Sequence, residues 1–536
     1  MTDRPRSRLG PETLARLSRR PDVDLPAFDP HDLGLGLVHL GLGAFHRAHQ
    51  AVYTELAAAA GGDRRWGIAG VSPRHRAVKD RLDPQDGLYS VLTLGADRLS
   101  LRVVGSLRAA LFAPAQTETV LDLMAQETTH IISLTITEQG YTPWGLLGPP
   151  AVSGDGPATG PEGGAALGLG GGTAMGPDAG AITGWPAELA AAGRELAGRA
   201  EAGRPTGGEA LGLLLRGLAR RFRQGGQPIT LLSCDNLVAN GRVLRHRLAE
   251  LAQGLDDTAF SQWLADHVAC PSTMVDRIVP ATSSAHHRLA QDLLGLDDAG
   301  LVVGEPFLQW VIEDRFAGPR PPWERAGATL ADEVEPYELV KLRLLNAAHS
   351  AAAYLGCLRG RSTIAQAMAD PFVRQRVTRL TDDDLLPTLT APPGLDLTDY
   401  RDQVFARFDN PHIGHSVLQV ARDGSTKLPQ RLLGAVQEGL AAGATPRAGA
   451  EVVAAWCLFV RAAAGGRLRL ESRPVTLEDP QAARLAAAAQ GPAPGLADRL
   501  LALRTIFPPA IGDHDGFRQA VRDSVAELSR ALRPPD

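Results

Sequence analysis

The stretch LGLVHLGLGAF, residues 35–45, decides the fold. Leu35, Leu37, Val38 and Leu40 stand in a short run without charges, the pattern of a strand buried on both faces. The run enters Gly41-Leu42-Gly43, and HRAHQAVYTELAAAAG (46–61) then reads as a helix stopped by glycine. Strand, glycine turn and helix are the context that a dinucleotide fingerprint needs. Gly41 permits the tight turn, and Gly43 lets a diphosphate approach the backbone and the helix N-terminus. The third glycine of the fingerprint is absent, since His46 stands there.

Outward from this unit, RRWGIAGVS (64–72) is a second strand, and HIISLTITEQGY (130–141) is another, rich in β-branched residues. PITLLSCDNLVANG (228–241) is a further strand with a polar end. Strands alternating with helical stretches imply an α/β, doubly wound parallel sheet of Rossmann type. With 536 residues the chain exceeds a single core, so two large domains are expected. The boundaries read as an N-terminal extension over 1–35 containing an exposed lead-in helix, a dinucleotide-binding domain over 36–267, and a mainly α-helical domain over 268–536. The last begins with PSTMVDRIVPAT (271–282) and continues in long Leu/Ala/Arg periods. Residues 151–184 have no periodicity and hardly any large side chains, and read as a flexible, Gly-rich surface insertion.

In a sheet of this type the second strand ends on an acid when the cofactor is NAD, because the acid binds the ribose 2′-hydroxyl. Here Ser72-Pro73-Arg74-His75-Arg76-Ala77 follows the strand, with two arginines and no acid. NAD is the expected cofactor, with NADP also possible.

The formal net charge of −5 leaves no electrostatic footprint for nucleic acid or for an anionic membrane. Cys234, Cys270, Cys357 and Cys457 lie far apart, which argues against a zinc knuckle or a disulfide framework. Scattered thiols fit a reducing cytosol. No apolar run is long enough for a membrane span, and the basic N-terminus has no apolar segment behind it. The expectation is a cytoplasmic enzyme, monomeric or a small homo-oligomer, acting on a small molecule without a metal.

Of the 55 lysines and arginines only three are lysines: Lys79, Lys341 and Lys427. Where arginine serves nearly every surface need, a retained lysine is a candidate for work arginine cannot do, such as releasing a proton near neutral pH. Lys341 lies in VEPYELVKLRLLNAAHSAAAYLG (334–356), a helix by pattern. At about 100° per residue, with Lys341 at zero, Glu338 falls near 60°, His349 near 80° and Asn346 near 140°. Four polar groups on one arc of an apolar helix need partners or a wet cleft. The set suits carbonyl–alcohol interconversion. A lysine of lowered pKa takes or gives the hydroxyl proton, amides hold the oxyanion, and the histidine and glutamate position a hydroxyl or relay a proton.

Seven ordered blocks carry a resemblance: HLGLGAFHRAHQAVY (39–53), SLTITEQGY (133–141), SCDNLVANG (233–241), STMVDRIVPAT (272–282), EPFLQWVIED (305–314), PYELVKLRLLNAAHS (336–350) and DGSTKLPQRLL (423–433). The chain resembles the long-chain mannitol dehydrogenase family and, within it, the fructuronate reductase (D-mannonate oxidoreductase) branch. The resemblance implies a Rossmann-type domain, a helical domain, and a zinc-independent oxidoreductase of a sugar acid or polyol. The alternative within the family is a mannitol 2-dehydrogenase or related polyol dehydrogenase, converting mannitol to fructose. The resemblance makes Lys341 the acid/base, with Asn346 and Asn236 holding the oxygen that becomes alkoxide and His349 touching substrate. Glu338 and Glu138 correspond to relay carboxylates, and Asp276 to the acid that positions the lysine. Gly41, Gly43, Ala44, Phe45, Arg74 and Thr137 are the candidate cofactor contacts, and Lys427 lies in the block that the family uses for substrate contacts. Departures are Gln419, where polyol-oxidising members commonly carry arginine, and Gln139, where lysine or glycine is common. Arg431 follows Lys427 at i+4, so a helix there puts two cations on one face, suited to a substrate carboxylate.

Overall fold

Six parallel strands order the first part of the chain: β1 (Leu35–Leu40), β2 (Gly67–Ser72), β3 (Leu107–Phe112), β4 (Ile131–Leu134), β5 (Ile229–Ser233) and β6 (Val268–Ala269). They lie in the order β3-β2-β1-β4-β5-β6, and every adjacent pair is parallel. This is the Rossmann order, whose switch point falls between β1 and β4. The structure is a computed structural model and describes residues 7–15, 17, 21–141, 210–255 and 257–532. The Gly-rich stretch 151–184 lies outside the described residues.

β1, β2, β4 and β5 fall where the apolar runs place them. All but the first residue of β1 is buried, as a strand covered on both faces requires. The helix expected over 46–61 is two, Ala44–Ala48 and Gln50–Gly61, broken at His49 with φ −122° and ψ −89°. Of the lead-in helix, one turn is described, Pro11–Leu14.

The described residues divide after Val334, not at 267/268 as the composition suggested. The reason is backbone pairing. Val302–Gly304 pairs in parallel with Tyr89–Leu94, itself in an antiparallel hairpin with Leu99–Val104. Thr273–Asp276, Gln309–Glu313 and Thr329–Ala331 form a three-stranded sheet. The segment STMVDRIVPAT is therefore strand-bearing and belongs to the first unit. Trp310 and Trp323, both fully buried, pack there with ring centroids 4.6 Å apart.

The second unit, from Glu335, is mainly helical. Arg447–Ala464 is its long central helix, packed by Asp515–Ala531 and by Ala348–Leu358. Among its described residues three segments are π-helical: Lys341–Ala347, Leu380–Leu385 and Pro429–Leu433. Among the described residues no helix is long and apolar enough to cross a membrane, and all four cysteines are free thiols.

Candidate active site

In the first unit the glycine turn is closed by its neighbours. Gly41 has φ +108°, and a Cβ there would lie 2.0 Å from the Thr135 carbonyl oxygen, so only glycine fits. Gly43 is different: a Cβ would meet only the Gly41 carbonyl, at 3.7 Å, which leaves its Cα face open to a ligand. Thr135 follows β4, so the turn lies at the switch point where nucleotides bind such sheets. The residues present thus fit a dinucleotide diphosphate.

Beneath the turn lies a buried polar network. His39 contacts Ser133 Oγ through Nδ1 at 2.8 Å and Thr135 Oγ1 through Nε2 at 2.9 Å, and Thr135 donates to the Gly41 carbonyl at 2.7 Å. His46, in place of the third glycine, stacks on His39 with ring centroids 3.4 Å apart. Burial pushes His39 down to about 3, and burial followed by the charge of His39 holds His46 well below the ordinary range. Both rings are packing groups. Arg74 is exposed after β2, as is Arg76, which pairs with Asp80 at 3.1 Å. Ala44 and Phe45 open the short helix, half-buried. Lys79 bonds Asp83 and the Ala110 carbonyl, so this lysine has a structural use.

The ends of β4 and β5 carry further candidates. Thr137 and Asn236 are exposed, whereas Asp276, closing the strand Thr273–Asp276, is buried. Glu138 opens a 3-10 turn, Glu138–Tyr141. Between them stands Asp235, which the sequence reading passed over in favour of its neighbour. Its carboxylate accepts from the Thr137 N–H at 2.7 Å and the Tyr141 hydroxyl at 2.8 Å. No pattern of charge or period marks it; only its place beside Asn236 does.

In the second unit the lysine helix is not a regular α-helix. It runs α over Glu335–Val340, π over Lys341–Ala347, and α again over Ala348–Leu358. In an α-helix Lys341 and Asn346 lie about 140° apart. A π turn closes i→i+5 bonds and is wider than an α turn, so residues five apart come closer to one face. Lys341 and Asn346 therefore share a face more closely than uniform helical spacing predicts. Both are buried, Lys341 at 9% exposure, and Glu338 is half-buried. His349 is buried, with its ring stacked on Phe408 at 4.8 Å and edge-on to His415 at 4.7 Å. Burial first, then the charges of His415, Arg431, Arg407 and Lys427, keep His349 well below its ordinary pKa. That environment favours the neutral imidazole.

Lys427 is buried and donates to the Val420 carbonyl at 3.2 Å. Gln419 is half-buried. The shared-face argument for Lys427 and Arg431 assumed an α-helix, but the segment changes to π at Pro429. Arg431 is 4% exposed, not a surface cation, and donates to Ser350 Oγ at 2.9 Å. Ser350, Phe408 and His415 are site neighbours that sequence reasoning missed, since each reads as ordinary helix or loop. Among the described residues no group of three or more His, Cys, Asp or Glu is arranged to hold a metal.

A Rossmann sheet with a dinucleotide turn, followed by a helical unit carrying Lys341, Asn346 and His349, defines a two-domain dehydrogenase architecture. The mannitol dehydrogenase Rossmann domain model matches residues 35–325, and the mannitol dehydrogenase C-terminal domain model matches 333–529. The chain belongs to the mannitol dehydrogenase family. It is 36% identical to D-mannonate oxidoreductase of Escherichia coli, over 82% of each chain. It is 33% identical to mannitol 2-dehydrogenase of Pyrenophora tritici-repentis, over 96% of this chain and 83% of the relative. Pseudomonas fluorescens mannitol 2-dehydrogenase, solved as a ternary complex with NAD and D-mannitol, superposes with a TM-score of 0.75 at 32% identity, covering 98% of both chains.

Proposed function

We propose that this protein is an NAD-dependent oxidoreductase that interconverts D-fructuronate and D-mannonate, with Lys341 as the acid/base. The observation that carries the reading is the buried Lys341 one π turn from Asn346. Gly41 and Gly43 would hold the cofactor diphosphate, and bound NADH would supply the hydride. On carbonyl reduction the Lys341 ammonium would give its proton to the oxygen, and in the reverse direction it would take that proton back. The Asn346 amide donates to the same oxygen where negative charge develops, and Asn236 adds a second amide. His349, neutral, offers a hydrogen bond to a sugar hydroxyl. Glu338 and Glu138 are proposed as relay carboxylates, and Asp276 as the supporting acid that the family resemblance implies.

The uronate is preferred because the stretch around Gln419, Lys427 and Arg431 follows the fructuronate reductase pattern. A buried cation suits a terminal carboxylate, whose burial unpaired costs several kcal/mol. One observation favours the polyol reading, mannitol to fructose: Arg431 already bonds Ser350 and the Asn346 carbonyl. A spectrophotometric screen at about 340 nm decides, with fructuronate against fructose and NADH against NADPH. Faster turnover of fructuronate supports the proposal; faster turnover of fructose replaces it with the polyol reading.

A further inference from the structure

Thr137 is strained. Its φ is +64°, a left-handed conformation that β-branched residues rarely adopt and that glycine or asparagine takes at little cost. Strain of this kind persists only where surrounding groups over-determine the backbone, and it gathers at functional sites. The group responsible here is the Asp235 side chain. It accepts from the Thr137 N–H at 2.7 Å, the Ile136 N–H at 3.2 Å and the Tyr141 hydroxyl at 2.8 Å. The Tyr141 oxygen also lies 2.8 Å from Ser233 Oγ, on β5. From the opposite side Asn240 Nδ2 donates to the Asp235 carbonyl at 3.0 Å and to the Thr273 carbonyl at 2.8 Å. Asp235 is itself buried, whereas Thr137 and Asn236, to either side of the clamp, are exposed. Burial pushes its carboxyl up to about 6, while the tyrosine hydroxyl and the two peptide N–H groups pull it back.

We propose that Asp235 is a positioning residue that ties the ends of β4 and β5 together, holding Thr137 left-handed and so fixing the backbone that leads into Glu138 and Asn236. The proposal rests on the dehydrogenase reading above, since it gives those two loops their use. A carboxylate suits the task because one side chain satisfies two successive peptide donors and a hydroxyl at once.

The test is a double-mutant cycle in the full-length chain. In the natural background Asp235→Ala should lower kcat/KM for sugar reduction by about 50-fold. In the Thr137→Gly background, where the left-handed conformation no longer needs a clamp, the same change should cost less than about 5-fold. Equal losses in both backgrounds would overturn the proposal, because a purely structural role for Asp235 ignores the residue at 137. Hydrogen exchange gives a readout free of substrate: the amides of Ile136 and Thr137 should exchange faster in Asp235→Ala, and unchanged exchange there also overturns the clamp. If Asp235→Ala does not fold, Asp235→Asn, which keeps one acceptor, should show the same coupling to Thr137→Gly at smaller amplitude, and its absence counts equally against it. Should the natural chain reduce neither fructuronate nor fructose, the functional reading fails while the exchange result still judges the clamp.

Discussion

Arg431 donates a hydrogen bond to the hydroxyl of Ser350 at 2.9 Å, with both side chains buried, and its Nη1 also reaches the Asn346 carbonyl at 3.4 Å. The cation is thus fastened to the helix that carries the proposed oxyanion donor. Arg431→Leu should lower turnover of both fructuronate and fructose, because Asn346 loses a support. Fructuronate should lose on the order of 2–3 kcal/mol more, the range for a charge-assisted hydrogen bond to its carboxylate. Equal losses on the two ketoses would place the carboxylate away from Arg431 and advance the polyol reading.

The parallel sheet of the first unit is legible in the sequence. The run around Leu35–Leu40 led directly to the parallel sheet, while the turn at Gly41 and the scarcity of lysine led to the proposed cofactor turn and the proposed acid/base Lys341. The domain boundary was not legible, because Thr273–Asp276 and Val302–Gly304 are short strands whose partners lie far away in sequence. The π turn at Lys341 was equally hidden. Residue periodicity is read against a fixed 3.6-residue turn, and nothing in KLRLLNA announces a wider one. Asp235 escaped for a third reason: its importance comes from the φ of Thr137, a backbone property that composition does not carry.

Stability should rise with pH between about 4.5 and 6.5. His39, His46 and His349 have lowered pKa values in the fold, so they are neutral there while the unfolded chain binds their protons. Glu55 and Asp235, raised by burial to about 7 and about 6, act in the opposite sense, because the native state keeps their protons while the unfolded chain releases them. With His415, lowered to about 4 chiefly by burial, the lowered histidines outnumber the two strongly raised acids, so stability rises with pH through this window. Denaturant melts at pH 4.5, 5.5 and 6.5 measure this, and a midpoint that falls as pH rises contradicts it.

Arg74, exposed after β2 where other such sheets carry an acid, removes the usual repulsion of a 2′-phosphate. NADH should be preferred over NADPH, but by a smaller ratio than an acidic site gives. Arg74→Ala should weaken NADPH binding more than NADH binding, measured by cofactor fluorescence titration. Strict rejection of NADPH, unaltered in the variant, would mean that this side chain faces only solvent.

A lysine that supplies the proton leaves no role that requires a Lewis acid. Prolonged treatment with a chelator should therefore leave the rate within experimental error of the untreated enzyme. Activity that vanishes and returns with added zinc would remove Lys341 from the centre of the mechanism.

The central claim is that Lys341 moves the proton, and the charge-conserving variant Lys341→Arg tests it most directly. Guanidinium keeps the positive charge but does not release a proton in the working pH range. The account predicts that Lys341→Arg binds NADH as tightly as the natural chain, by fluorescence titration, while the rate of ketose reduction falls by about 10²-fold or more, the scale of general acid catalysis. A near-normal rate with an unchanged pH profile in Lys341→Arg would contradict it.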